Sequence, residues 1–125
     1  MSQTFIERRK ARRRNILERF SFYVCVPKLG YTRHKVNDIS ELGIGFEVET
    51  LGEFKLAEGE ICELQFYVNQ SLFLRLHIEV VRQKEIETIQ HIGASFLDVQ
   101  SNPQVTFNTL VKLVDQLSDF AEVLE

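Results

Sequence analysis

The stretch "LFLRLHIEVVR", residues 72–82, carries the cleanest alternation in the chain. Leu72, Leu74, Leu76, Ile78 and Val80 fall on one face, and Phe73, Arg75, His77 and Glu79 on the other. A period of two is that of a strand with one face on a core. Just before it, "ICELQFYV" places Cys62, Leu64, Phe66 and Val68 on one face, and "NQS" between the two runs is a tight turn signal. Just after it, "HIGASFLDV" sets Ile92, Ala94 and Phe96 on one side. Towards the N-terminus, "FSFYVCV" aligns Phe20, Phe22, Val24 and Val26, and "GIGFEVE" is short, β-rich and bounded by Gly.

The last segment changes period. Leu110, Leu113, Val114, Leu117, Phe120 and Leu124 recur at spacings of three and four, which predicts one apolar helical stripe over about 103–124. Asn102 is the expected N-cap, with Pro103 at the first helical position, where its missing N–H does no harm. Six short strands followed by an amphipathic helix predict a mainly β chain: a six-stranded antiparallel barrel with the helix over an open end or face.

At 125 residues, 44% hydrophobic and 26% charged, the chain has the size and balance of one globular domain. No apolar run approaches the roughly 18 residues of a membrane span. "MSQTFIERRK" has no apolar core and no small-residue cleavage site, so it does not read as a secretory signal. Cys25 and Cys62 lie in apolar runs away from metal-ligand spacing and read as buried thiols of a reduced compartment. The expectation is a cytoplasmic protein with no cofactor and no metal.

Charge is distributed unevenly. Residues 1–19 hold seven basic residues against two acids, and the remaining 106 hold eight against sixteen. A basic arm of +5 therefore sits on a body of −8, which points to an anionic partner bound at one place. The arm, "FIERRKARRRNILER" at 5–19, has no Gly or Pro and is partly compatible with helix. Ile6, Ile16 and Leu17 are its large apolar residues after Phe5, so a flexible, loosely docked arm is expected, divided at residue 20 from the barrel and its helix.

Catalysis has little behind it. His34, His77 and His91 are far apart and have no carboxylate or thiol at ligand spacing. Ser40 is not in a nucleophile elbow, and Gly43–Gly45 is a fragment that lacks the third glycine of a dinucleotide fingerprint. Binding is better supplied. Arginine guanidinium forks hold phosphate or the O6/N7 edge of guanine and stack on purines. "DISELG", residues 38–43, adds an Asp that accepts from guanine N–H groups, a Ser hydroxyl and a Gly that permits close backbone approach. Taken alone, Asp38 and Ser40 also read as turn residues capping backbone N–H groups.

A basic RxxxR element followed by (D/N)xSxxG resembles the signature of PilZ domains. "ERRKARR" supplies Arg9 and Arg13, and "DISELG" supplies Asp38, Ser40 and Gly43. Arg8/Arg12 and Lys10/Arg14 share the RxxxR spacing, but "ERRK" followed two residues later by the second Arg favours Arg9/Arg13. "LAEGEICELQF", "LHIEVVR", "HIGASF" and the C-terminal helix extend the resemblance over nearly the whole chain. "RNILER" departs from it, because family members commonly have Pro or a hydrophobic residue soon after the second Arg.

The resemblance implies a PilZ-type barrel and a bacterial, non-enzymatic receptor for cyclic di-GMP. Arg9 and Arg13 would grip phosphates and guanine edges, Asp38 and Ser40 would hold a guanine, and Gly43 would permit the turn. Arg8 would add a guanidinium compatible with a stacked, intercalated ligand dimer. The arm would close over the nucleotide and change contact with a downstream protein of motility, pilus, secretion or exopolysaccharide machinery. The alternatives are a PilZ-like protein adaptor acting without ligand and, less favoured, a nucleic-acid-binding protein using the arm.

Overall fold

The computed structural model describes residues 5–30, 32–49 and 55–124. The side chains of residues 5, 6, 9 and 121–124 lie outside that description. A helix, α1 (Phe5–Arg19), leads into strand β1 (Phe22–Cys25), a short 3-10 turn at Pro27–Leu29, and strands β2 (His34–Ile39), β3 (Gly43–Glu49), β4 (Ile61–Val68), β5 (Leu72–Ile86) and β6 (Ile89–Phe96). Helix α2 (Asn102–Leu124) ends the chain.

The strands form a closed antiparallel barrel in the order β1-β2-β3-β6-β5-β4, with β1 pairing β4 to complete the ring. Closure removes the sheet edges that would otherwise recruit another strand. The expected alternation holds: Leu64, Phe66, Leu76, Ile78, Val80, Ile92, Ala94 and Phe96 point inward with Val24, Val36, Phe46 and Val48. Asn69 and Gln70 turn β4 into β5, both with positive φ.

α2 closes one end of the barrel. Fully buried Phe107 meets Phe66 edge-on at 5.0 Å and Phe96 at 4.8 Å. Of the row its spacing predicted, the helix buries Val114 and part of Leu110, but not the rest of its described residues. Gln104, Phe107, Val111, Val114 and Ser118 face inward, whereas Leu113, Leu117 and Phe120 are exposed, Phe120 by 61%. The apolar stripe is wider than the barrel end, so α2 seats the row that carries Phe107 and leaves the adjacent one uncovered. Its cap is Ser101, not Asn102: Ser101 Oγ accepts from the Gln104 N–H at 3.3 Å, the S-x-x-Q spacing of a capping box.

The arm also differs from expectation. It is one continuous helix packed against α2, β2 and β1. Leu17 is 1% exposed, Ile16 packs partly against the core, and Arg12 is buried. Two large apolar residues suffice because the arginines add both stem area and polar anchors. Phe20, assigned to the first strand's inner face, lies in the turn after α1 and is 51% exposed.

Polar groups inside the barrel wall are few. Gln90 accepts from the Leu56 N–H at 3.2 Å and donates to the Leu56 carbonyl at 2.7 Å, pinning the chain after residue 55 to β6. Burial lowers the His34 pKa, against an opposing pull from Glu49, and raises that of the Cys25 and Cys62 thiols.

Candidate functional site

The "DISELG" stretch sits at the end of β2 and the turn into β3. Ser40 and Gly43 close this turn: the Ser40 N–H donates to the Gly43 carbonyl at 2.9 Å, and the Gly43 N–H donates to Ser40 Oγ at 3.0 Å. The hydroxyl thus shapes the turn that presents it. Gly43 is demanded by packing, since a Cβ there would lie 2.4 Å from the Ala94 carbonyl oxygen on β6.

Asp38 is aimed by an irregularity in its own strand. His34 and Val36 point inward, and strict alternation would send Asp38 after them. The register between β2 and β3 shifts between Val36 and Asp38, with Asn37 as the extra residue. That bulge turns Ile39 into the core and Asp38 outward.

Asp38, Ser40 and Gly43 line one side of a groove of about 520 Å³ on the barrel wall. Arg82, Lys84 and His91, from β5 and β6, line it as well. At the Asp38 end stands Arg13 of α1. Its Nη2 is 3.5 Å from Asp38 Oδ1 and donates to the Ile39 carbonyl, while its Nε is 3.1 Å from Asp115 Oδ1 on α2. One guanidinium therefore joins both helices to the motif strand, in the way a rigid planar fork permits.

The structure brings Arg13, Asp38, Ser40 and Gly43 together. Arg8 is exposed on α1, and no contact among the described residues joins it to Asp38 or Ser40. Arg9 lies one turn before Arg13 on the helix, and its side chain lies outside the described residues. Of the other registers, Arg12 is turned into the protein at 8% exposure and Arg14 faces solvent. Sequence reading missed Arg82, Lys84 and His91 as groove residues and Asp115 as the partner of Arg13. No local motif marks any of them, and only strand register and helix docking bring them in.

The molecule is thus a small closed barrel with a groove on its wall and a basic helix, α1, at the Asp38 end of that groove. The PilZ domain family model matches residues 7–116, and the chain belongs to that family. No curated protein matches it. Among solved structures it is similar to YcgR from Escherichia coli, crystallised in complex with c-di-GMP: TM-score 0.61, 18% identity, 84% of this chain and 46% of that one. This chain thus spans about half of YcgR's length. It is also similar to an uncharacterized Legionella protein, with TM-score 0.47, 15% identity, 81% of this chain and 89% of that one. At 18% identity the likeness to YcgR shows a shared fold.

Proposed function

We propose that the chain is a receptor for cyclic di-GMP that binds the nucleotide without transforming it. The observation that carries this reading is Arg13 in contact with Asp38 and Ile39 at the rim of a groove lined by Asp38, Ser40 and Gly43. The two elements of the PilZ signature, distant in sequence, thus meet at one place. In this reading Asp38 accepts from the N–H edge of one guanine, and Arg13, with Arg9 and Arg8 from the same helix, takes phosphate oxygens and the O6/N7 edge of the other. YcgR, a neighbour in fold, holds this ligand in its crystal.

The receptor would signal by moving its arm. Arg13 bonds to α2 through Asp115 as well as to the motif, so drawing the guanidinium onto a phosphate alters how α1 rests on α2. A downstream protein of motility, pilus, secretion or exopolysaccharide machinery, in the cytoplasm, would read that surface. Among the described residues no helix is long and apolar enough to cross a membrane.

Thermal unfolding tests the reading. Cyclic di-GMP at a hundred times its Kd should stabilise the chain by about 2.7 kcal/mol and raise Tm by several degrees. GMP at the same concentration should not, and a D38A/S40A variant should lose the shift. No shift for the wild type at millimolar nucleotide would refute it. The ligand-free adaptor reading draws on the exposed α2 row of Leu113, Leu117 and Phe120. It gains ground only if the wild type shows no nucleotide response.

A further inference from the structure

Strand register places four residues in one row across the outer wall of the barrel. Asp38 pairs with Gly45, Gly45 with Gly93, and Gly93 with Arg82. At about 4.8 Å per strand, the row spans about 14 Å from carboxylate to guanidinium position, with two bare residues between. The neighbouring row, Lys35–Glu47–His91–Lys84, is filled with side chains.

Both ends of the bare row are re-aimed by bulges. On β5, Leu74, Leu76, Ile78 and Val80 point inward, and unbroken alternation would drive Arg82 into the core. The register against β6 shifts between Val80 and Arg82, so Val81 becomes the extra residue and Arg82 emerges on the outer face. The Asn37 bulge does the same for Asp38. Two bulges that deliver opposite charges to one row mark a site better than either alone.

The two glycines are bare for different reasons. A Cβ on Gly93 would lie 3.2 Å from Arg82 Nε, so its absence lets Arg82 lie over β6. A Cβ on Gly45 would meet nothing closer than 3.7 Å, and the barrel's packing therefore does not require glycine there. A strand glycine without a packing reason marks close approach by something else. Arg82 has no ion pair or hydrogen bond to another described residue, which leaves its fork free for an incoming group.

We infer that Gly45 is the floor for a planar purine base, whose N–H edge faces Asp38 and whose O6/N7 edge faces Arg82. Arg82 is thus a further ligand-binding residue, standing outside the two sequence motifs and opposite the arm. This inference rests on the nucleotide reading above and adds to it a specificity wall on β5.

The test is calorimetric titration of cyclic di-GMP into the full chain and into G45A, R82A, R82K and R13A, with urea unfolding of each. G45A should bind at least tenfold more weakly while unfolding at the same or higher urea, because a methyl fits the barrel but occupies the floor. R82A should lose at least tenfold, and R82K should regain no more than a third of that, since an ammonium lacks the planar fork. If G45A and R82A bind within twofold of wild type while R13A is impaired, this inference falls and the receptor reading stands. Full recovery by R82K would overturn the planar contact. A wild type that does not bind overturns both.

Discussion

Arg13 and Asp38 meet at 3.5 Å, and the same Arg13 nitrogen donates to the carbonyl of Ile39, the next residue along β2. The arm is thereby fastened to the strand that carries the second signature element. The geometry separates ligand binding from stability. Both carboxylates that Arg13 faces are part-exposed, so R13A should cost only about 1–2 kcal/mol in urea unfolding. Loss of a charged, bidentate ligand contact should cost at least as much, about 30-fold or more in affinity for cyclic di-GMP. A variant with wild-type affinity would remove Arg13 from the site.

Gly43 tests the turn. The added methyl of G43A would press on the Ala94 carbonyl, which is backbone and cannot swing away. The expected result is a loss of about 1–3 kcal/mol in urea unfolding, from forcing β3 and β6 apart. An unchanged midpoint would show that the strands separate freely at this end. G45A, two residues on, should show no such loss.

Phe107 tests the plug. Its ring is fully buried between Phe66 and Phe96, so F107A should leave a cavity at the barrel end and cost about 3–5 kcal/mol. L113A, on the exposed row of the same helix, should change stability by well under 1 kcal/mol. Equal costs for the two would contradict the observed seating of α2.

His34 gives the chain a pH dependence of definite sign. Burial lowers its pKa in the folded chain below the ordinary 6.5, so between the two values the unfolded state binds the extra proton. The stability associated with neutral His34 is therefore fully present above about pH 6.5 and falls as pH drops from there through the folded-state pKa. The unfolding midpoint of H34F, measured from pH 7.5 to 5, should fall less steeply than that of wild type. Parallel curves would exclude His34 as the cause.

Much of the barrel was legible because period-two runs are long here. Leu72–Val80 and Ile92–Phe96 alternate cleanly, and "DISELG" marks its own turn. The site was legible only in part. Arg82 shares the sequence parity of the inward Leu74–Val80 row, and nothing in "EVVRQK" announces the extra residue at Val81 that turns it outward. Asp115 lies on a helix face whose orientation depends on Phe107 entering the barrel, while the stripe read from spacing took in Leu113 and Leu117 and left Phe107 out. The docking of α1 was less legible for a related reason: apolar count alone omits the area and anchoring that buried Arg12 and rim-bound Arg13 supply.

The most direct test of the receptor claim is calorimetric titration of cyclic di-GMP, with GMP and GTP as controls, into wild type and an R9A/R13A double variant. The account predicts micromolar or tighter binding by wild type, no comparable heat from GMP or GTP, and at least a 30-fold loss in the double variant. No binding by wild type, or equal binding by both proteins, would contradict it.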